Sequence, residues 1–394
     1  MDPVSNPYAP GAGTPPPELA GRDELREAAR VSIERVRRGL PAKGVIMVGL
    51  RGVGKTVLLD CVRELAEASG IHAVRIEAPE GRSLPALLAP GLRLLLLRLR
   101  RNEPTRKPAE RALRALAGFA KALKVKYPDI ELGIDLPPEA GLADNGDLEQ
   151  DLQALLEVAA LAAQTAGSAL VIFIDELQCV GEAELAALIM ALHRCAQRRL
   201  PVTLVGAGLP QLRARIGEAR SYAERLFDFP DVGPLAEVAA RLAISKPAAD
   251  LGVSFETRAV EQIVKQTQGY PYFLQEWGKH SWEAAARSPI TAADVRAASR
   301  SVTAALDQSF FLVRFDRLTP AEKRYLRAMA ELGAGPHRSG DIATCLGREV
   351  TALGPTRNQL IAKGMIWSPS HGDTAFTVPL FDAFMHRIMP GDWR

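Results

Sequence analysis

Short apolar runs alternate with amphipathic helical patterns through the first 235 residues of the chain. Val45–Val48, bounded by Gly44 and Gly49, is too short for a buried helix and predicts a strand covered on both faces. Residues 72–77, Ala169–Ile174 and Pro201–Val205 predict three more strands. A helix is predicted over 22–39, with Leu25, Ala28, Ala29, Ser32, Ile33 and Val36 on one face and Gly39 and Pro41 to stop it. Others are predicted over 55–69 and 182–198. Strands separated by helices pair through crossovers rather than hairpins, so the pattern predicts an α/β domain of three layers around a mainly parallel sheet.

Two departures from this alternation divide the chain. An insertion of about 81–146 lies between the second and third strands, and within it Leu123–Val125 and Ile130–Ile134 predict a hairpin. A connection of that length is usually functional or mobile. From about 235 the strand patterns stop, and helical patterns over 235–244, 254–267, 270–286 and 291–306 predict a small all-α domain. Thr319, Pro320 and Glu322 then read as N-cap, first helical residue and capping-box partner of another helix. A second helix begins at Ser339, and a third covers 351–363, with Pro355 inside it and Gly364 after it. Strands Met365–Trp367 and Thr374–Val378 follow, and the three helices plus hairpin resemble a winged helix-turn-helix. The expected divisions are a flexible tail 1–17 with six prolines, a sheet domain 18–234, a helical domain 235–306 and a terminal domain 307–394.

Composition adds mainly exclusions. No stretch approaches the roughly 18 apolar residues of a membrane helix, and the N-terminus has neither a basic nor an apolar leader region, so a cytoplasmic protein without membrane partners is expected. Cys61, Cys179, Cys195 and Cys345 form no CxxC and lie at no zinc-ligand spacing with histidine, which predicts free thiols. The net charge of +3 implies no partner by itself. Its distribution is uneven, however, because residues 93–126 hold eleven Lys/Arg and two Glu, leaving the remainder net negative. Arg98, Arg100, Arg101, Arg106 and Lys107 are therefore candidates for phosphate contact, although no aromatic is interleaved for base stacking. A solvated helix face over buried leucines is the competing account.

Two motifs carry chemistry. Gly49-Leu-Arg-Gly52-Val53-Gly54-Lys55-Thr56 matches GxxxxGK[ST] and falls after a strand and at the start of a helix. In that context the glycines let successive N–H groups face a phosphate, and the helix N-terminus adds positive potential. Gly49, Gly52, Val53, Gly54, Lys55, Thr56 and Val57 are the candidate phosphate-binding residues, with Lys55 reaching the β and γ phosphates of ATP and Thr56 ligating Mg²⁺. The second motif is Leu170-Val-Ile-Phe-Ile-Asp175-Glu176, an apolar strand ending in two acids. Asp175 is the expected Mg²⁺ residue and Glu176 the expected general base toward water.

These motifs, with Leu19-Ala-Gly-Arg-Asp-Glu-Leu25, Ser221-Tyr-Ala-Glu-Arg225-Leu-Phe227 and Gly269-Tyr-Pro271, resemble the AAA+ and STAND division of P-loop ATPases. The likeness is to archaeal origin-recognition initiators and archaeal-type ATPases, and it covers about 18–306. It implies that Leu19 and Arg22 line an adenine pocket, that a helical lid carrying Pro271 closes over the nucleotide, and that the acid-bearing strand lies beside the phosphate-loop strand. Two positions depart from the pattern. Val205-Gly206-Ala207-Gly208 offers no polar sensor, and Tyr270 and Pro271 stand where many members carry a lid arginine, as in the STAND type. A slow ATP/ADP switch is the implied behaviour. Arg220 and Arg225 are candidate arginine fingers, in cis or across a homo-oligomer interface, with ordinary surface arginines as the alternative.

If the terminal domain reads double-stranded DNA, Thr356, Arg357, Asn358, Gln359 and Lys363 would face the major groove and His371 a phosphate. Residues 318–394 hold nine Lys/Arg against seven Asp/Glu, which is not a basic footprint. Two rival functions remain open: a signalling or defence switch whose winged helix binds protein, and a helper ATPase of a recombination or transposition machine.

Overall fold

In a computed structural model that describes residues 1–11, 13–130, 133–391 and 393, the apolar runs become the strands of one parallel sheet. Its five strands are β1 (Gly44–Val48), β2 (His72–Glu77), β3 (Leu170–Asp175), β4 (Val202–Gly208) and β5 (Phe227–Asp228). β1, β3 and β4 are buried along their whole length, as continuous apolar strands inside a three-layer fold must be. The order is β2-β3-β4-β1-β5. The acid-bearing β3 therefore does not lie beside the phosphate-loop strand β1; β4 separates them, pairing Val48 with Gly208 on one side and Ile174 with Gly206 on the other. Small residues make that central place available, since a Cβ on Gly206 would come within 3.0 Å of Leu177 and one on Gly208 within 2.6 Å of Leu212.

The chain divides into two compact units. The sheet unit comprises Arg22–Gly49 and Lys55–Val232. Its helices are α1 (Asp23–Arg37), α2 (Lys55–Ala68), α3 (Leu84–Arg100), α4 (Glu103–Leu123), α5 (Leu148–Thr165), α6 (Glu182–Gln197), α7 (Leu212–Ala219) and α8 (Ala223–Leu226). The insertion, expected to be functional or mobile, packs its apolar residues into the core. Ser83 caps α3, accepting a hydrogen bond from the Ala86 amide at 3.3 Å, and Leu88, Leu92, Leu96 and Leu99 are buried along one face. α4 buries Leu113, Leu116 and Phe119, while Arg98, Arg101, Lys107 and Arg114 stay exposed. A basic face is thus displayed over apolar packing, as both accounts of this segment require. The hairpin expected in the insertion does not form among the described residues: Leu123 closes α4, where its side chain is buried, and residues 131 and 132 of the second expected strand lie outside the described residues. An additional helix, α5, follows the insertion, and Asp147 caps it by accepting from the Gln150 amide at 2.9 Å.

The helical unit comprises Met1–Gly21, Leu50–Gly54 and Gly233–Arg394. Its helices are α9 (Glu237–Ala249), α10 (Thr257–Thr267), α11 (Pro271–Ala284), α12 (Ala292–Ala305), α13 (Leu312–Phe315), α14 (Pro320–Glu331), α15 (Ser339–Leu346), α16 (Val350–Ala362) and α17 (Phe381–Ile388). The tail expected to be flexible is anchored. Tyr8 is buried with its hydroxyl donating to the Ile244 carbonyl, and the Trp282 indole N–H donates to the Asp2 carbonyl at 2.9 Å. Gly278 makes room for that tyrosine, because a Cβ there would meet the ring at 2.5 Å. A single aromatic residue thus outweighs the proline-rich composition around it. The division expected at 306/307 falls inside a continuous helical run, where the π-helical turn Leu306–Phe311 joins α12 to α13. Phe311 packs on Phe273 of α11 at 6.2 Å and on Phe384 of α17 at 5.2 Å, so both halves share one aromatic core.

Within this unit, α14, α15 and α16 accompany an antiparallel sheet of β6 (His337–Arg338), β7 (Ile366–Trp367) and β8 (Asp373–Phe376), ordered β6-β8-β7. Thr319 and Glu322 form the expected capping box. Glu322 is fully buried, and the Lys363 ammonium donates to its carboxylate at 2.7 Å. Burial opposes its ionisation, yet Lys363 and the Thr319 amide hold the carboxyl below the ordinary glutamate range. A lowered folded value means that the contribution to stability is present at neutral pH and lost as pH falls through that value. Lys363→Met is expected to cost about 2 kcal/mol, because the buried carboxylate loses its charged donor. Urea unfolding at pH 7 and at pH 4 measures this, and the variant should show the smaller difference between the two.

No helix among the described residues is long and apolar enough to cross a membrane. Cys61, Cys179, Cys195 and Cys345 form no disulfide.

Candidate active site

β1 ends at Val48, whose amide donates to the Pro230 carbonyl at 2.9 Å and whose carbonyl accepts from Val232 at 2.7 Å. The next amide, that of Gly49, donates to the Gly208 carbonyl of β4 at 3.1 Å. The loop then turns through Gly52 (φ 81°) and Gly54 (φ 89°), conformations open to glycine and strained for any other residue. α2 starts immediately at Lys55, which is only 7% exposed, with Thr56 and Val57 half-buried in the same turn. The first amides of a helix have no intrahelical partner, a feature that suits them to binding anions.

Asp175 is the last residue of β3 and 3% exposed. One carboxylate oxygen accepts from the Glu176 amide at 2.9 Å, and the other lies 3.4 Å from the Arg75 guanidinium of β2. Arg75 also pairs with Asp60 of α2 at 2.8 Å. Burial opposes ionisation of Asp60, but Arg75 and Arg63 overcome it and hold the carboxyl below the ordinary aspartate range. Arg75 went unnoticed in the sequence, where the only signal is a charged position within a strand of half-buried pattern. No group of three or more His, Cys, Asp or Glu capable of holding a metal occurs among the described residues. The hydroxyl of Thr56 and the buried carboxylate of Asp175 are hard oxygen donors that fit Mg²⁺, an ion that takes few protein ligands and completes its shell with phosphate and water.

Glu176 follows Asp175 in a left-handed conformation (φ 49°, ψ 38°), and its carboxylate accepts a hydrogen bond from the Gln178 side-chain amide. The other end of that amide accepts from the Leu209 backbone N–H at 3.1 Å, just beyond β4. Arg215 holds the same turn by donating to the carbonyls of Gln178 and, at 3.0 Å, Val180.

In the helical unit the loop residues Leu50–Gly54 meet the start of α11. The Tyr270 hydroxyl donates to the Arg51 carbonyl, the Tyr272 amide donates to the Gly52 carbonyl at 3.3 Å, and a Cβ on Gly52 would approach the Tyr270 ring at 2.9 Å. Gly269 (φ 72°) accepts from the Leu235 amide at 2.8 Å, and Pro271 takes the first helical turn, where its missing N–H costs nothing. Leu19 is half-buried, beside Glu18, which pairs with Lys246 at 3.0 Å. In the sheet unit Arg22 is buried at the N-cap of α1, and burial lowers its pKa. The two candidate fingers differ. Arg220 pairs with Glu149 of α5, whereas Arg225 is exposed on α8.

The terminal domain brings together fewer of the expected DNA residues. Arg357 donates to Thr374 at 3.0 Å, to Ser368 at 2.9 Å and to the Asp373 carbonyl at 3.1 Å, and Lys363 is held by Glu322. Both are committed to the domain's own packing. Asn358 and Gln359 are exposed on α16, Thr356 is half-buried there, and His371 is exposed between β7 and β8.

The family model of the AAA ATPase domain matches residues 18–205, the segment that holds both motifs. The fold is that of an AAA+ P-loop ATPase. A second model, a domain of unknown function (DUF8462), matches residues 308–385. Among solved structures, a Walker-type ATPase of Pyrococcus abyssi is similar over 95% of this chain and 97% of its own, at 16% identity and a TM-score of 0.59. Cdc6p from Pyrobaculum aerophilum aligns over 100% and 99%, at 14% identity and a TM-score of 0.47. The RuvB Holliday junction branch migration motor of Thermotoga maritima aligns over 95% and 96%, at 17% identity and a TM-score of 0.42. No curated protein matches the chain.

Proposed function

We propose that the protein is an ATP-controlled switch that hydrolyses ATP and acts on double-stranded DNA through a winged helix at its C-terminus. The observation that carries the first part is the shared edge of β1, β4 and β3: Lys55 and Thr56 open α2 beyond β1, and Asp175 ends β3 with Glu176 next, within the same unit. Lys55 and the loop amides would bind the phosphates, and Thr56 and Asp175 would hold Mg²⁺, which when bound neutralises charge developing on the transferred phosphoryl group. Glu176 would orient a water and accept its proton as the oxygen attacks the γ phosphorus and the bond to the ADP oxygen breaks. Cysteines without a disulfide accord with a cytoplasmic setting.

For DNA, the order of helices and strands in α14–α16 and β6–β8 supports a winged helix. Exposed Asn358 and Gln359 are suited to adenine edges, with Arg98, Arg101, Lys107 and Arg114 of the insertion supplying general phosphate affinity. Anisotropy on random duplex, with ATP, ADP or neither, tests this. Affinity is expected to fall steeply between about 50 and 200 mM salt, and converting the four insertion residues to glutamine should flatten the slope by about 0.9 for each phosphate no longer neutralised. The intramolecular commitments of Arg357 and Lys363 favour a second reading, a switch whose winged helix binds protein. Absence of duplex binding at low salt in every nucleotide state would select it.

A further inference from the structure

The turn after β3 holds a side chain that neither motif includes. Gln178 spans from the Glu176 carboxylate to the Leu209 amide. Chemistry assigns its two ends: a backbone N–H only donates, so the amide oxygen faces Leu209, and an ionised carboxylate only accepts, so the amide nitrogen faces Glu176. Gly208 makes this bridge possible, because a Cβ there would come within 2.7 Å of the Gln178 oxygen. The carbonyl of Gly208 in turn receives the Gly49 amide at 3.1 Å. A continuous path of hydrogen bonds and one residue of backbone therefore joins Glu176 to the first residue of the phosphate loop, within the sheet unit.

We propose that Gln178 is a positioning residue that orients the Glu176 carboxylate and ties it to the end of β4, in place of a polar side chain on β4 itself. The need is visible in the local geometry. Glu176 sits in a left-handed backbone conformation, and its carboxylate is met by the Gln178 side-chain amide. Val205-Gly206-Ala207-Gly208 has no side-chain polar group to restrain it. Arg215, donating to the Gln178 and Val180 carbonyls, fixes the backbone from which Gln178 reaches. The inference rests on the proposed hydrolysis and extends it to a residue that touches neither phosphate nor metal in that scheme.

The test uses the full chain, with steady-state ATP turnover and the affinity of a fluorescent ATP analogue measured in parallel. Gln178→Leu keeps a side chain of similar bulk, one bond shorter, and removes both hydrogen bonds. Its kcat is expected to fall about tenfold to a hundredfold with nucleotide affinity held within about twofold, the signature of impaired orientation rather than impaired binding. In the Glu176→Gln background the same change should cost nothing further, since two residues acting as one unit are not additive. Gln178→Glu still accepts from Leu209 but sets a second carboxylate against Glu176, and it should lower kcat at least as far, which covers the case of a poorly folded leucine variant. A kcat within about twofold of wild type in either variant, or an equal loss with and without Glu176, overturns the proposal. Wild-type protein that binds ATP without turning it over also overturns it while leaving nucleotide binding in place; wild-type protein that does not bind ATP removes the underlying reading.

Discussion

Lys55→Ala is expected to weaken ATP binding at least a hundredfold, about 2.7 kcal/mol. Lys55 is nearly buried at the first position of α2, so its ammonium has little water to lose when a phosphate arrives. The loop amides and helix N-terminus contribute partial charges, whereas Lys55 contributes a full one at short range. Alanine is favourable in a helix and small enough for the site, so the thermal midpoint should stay near that of the wild type and separate a binding defect from a folding defect. Calorimetric titration with ATP and Mg²⁺ measures the effect. Unchanged affinity would remove Gly49–Thr56 from nucleotide binding altogether.

Glu176→Gln is expected to retain ATP binding and reduce kcat by about a hundredfold to ten-thousandfold, the range for removing a positioned general base. The substitution keeps size and polarity, and the new side chain still offers an oxygen to the Gln178 amide. What it loses is the capacity to take a proton from water. Its nucleotide affinity should match the wild type, because Glu176 lies beyond Asp175 and makes no phosphate contact in the proposed scheme. A kcat that survives this change would assign the base elsewhere and leave Glu176 as a structural residue of the turn.

The neighbourhood of these two residues shows where sequence reasoning reaches. Lys55, Thr56, Asp175 and Glu176 were legible because each stands at a boundary between a short apolar run and a helical or turn signal, and boundaries are local features. Arg75 and Gln178 were not. Arg75 reaches Asp175 across a strand pair that joins residues 100 positions apart, and Gln178 reaches Leu209 across 31. Arginine and glutamine are ordinary in such segments, so composition gives no signal. Arg357 and Lys363 show the converse: residue type marked them as suited to DNA, while Ser368, Thr374 and buried Glu322 already occupy them.

Local pattern alone determined the alternation of strands and helices, the glycine turn that opens α2, the acidic end of β3 and the capping box at Thr319, because each depends on backbone preferences within a few residues. Tertiary structure alone decided that β4 stands between β1 and β3, that the basic insertion belongs to the core, and that Tyr8 anchors the N-terminal segment. Those outcomes depend on which distant surfaces fit: Gly206, Gly208 and Gly278 each admit a side chain that arrives from elsewhere in the chain. A missing Cβ is visible in the sequence. The atom that fills its place is selected by packing.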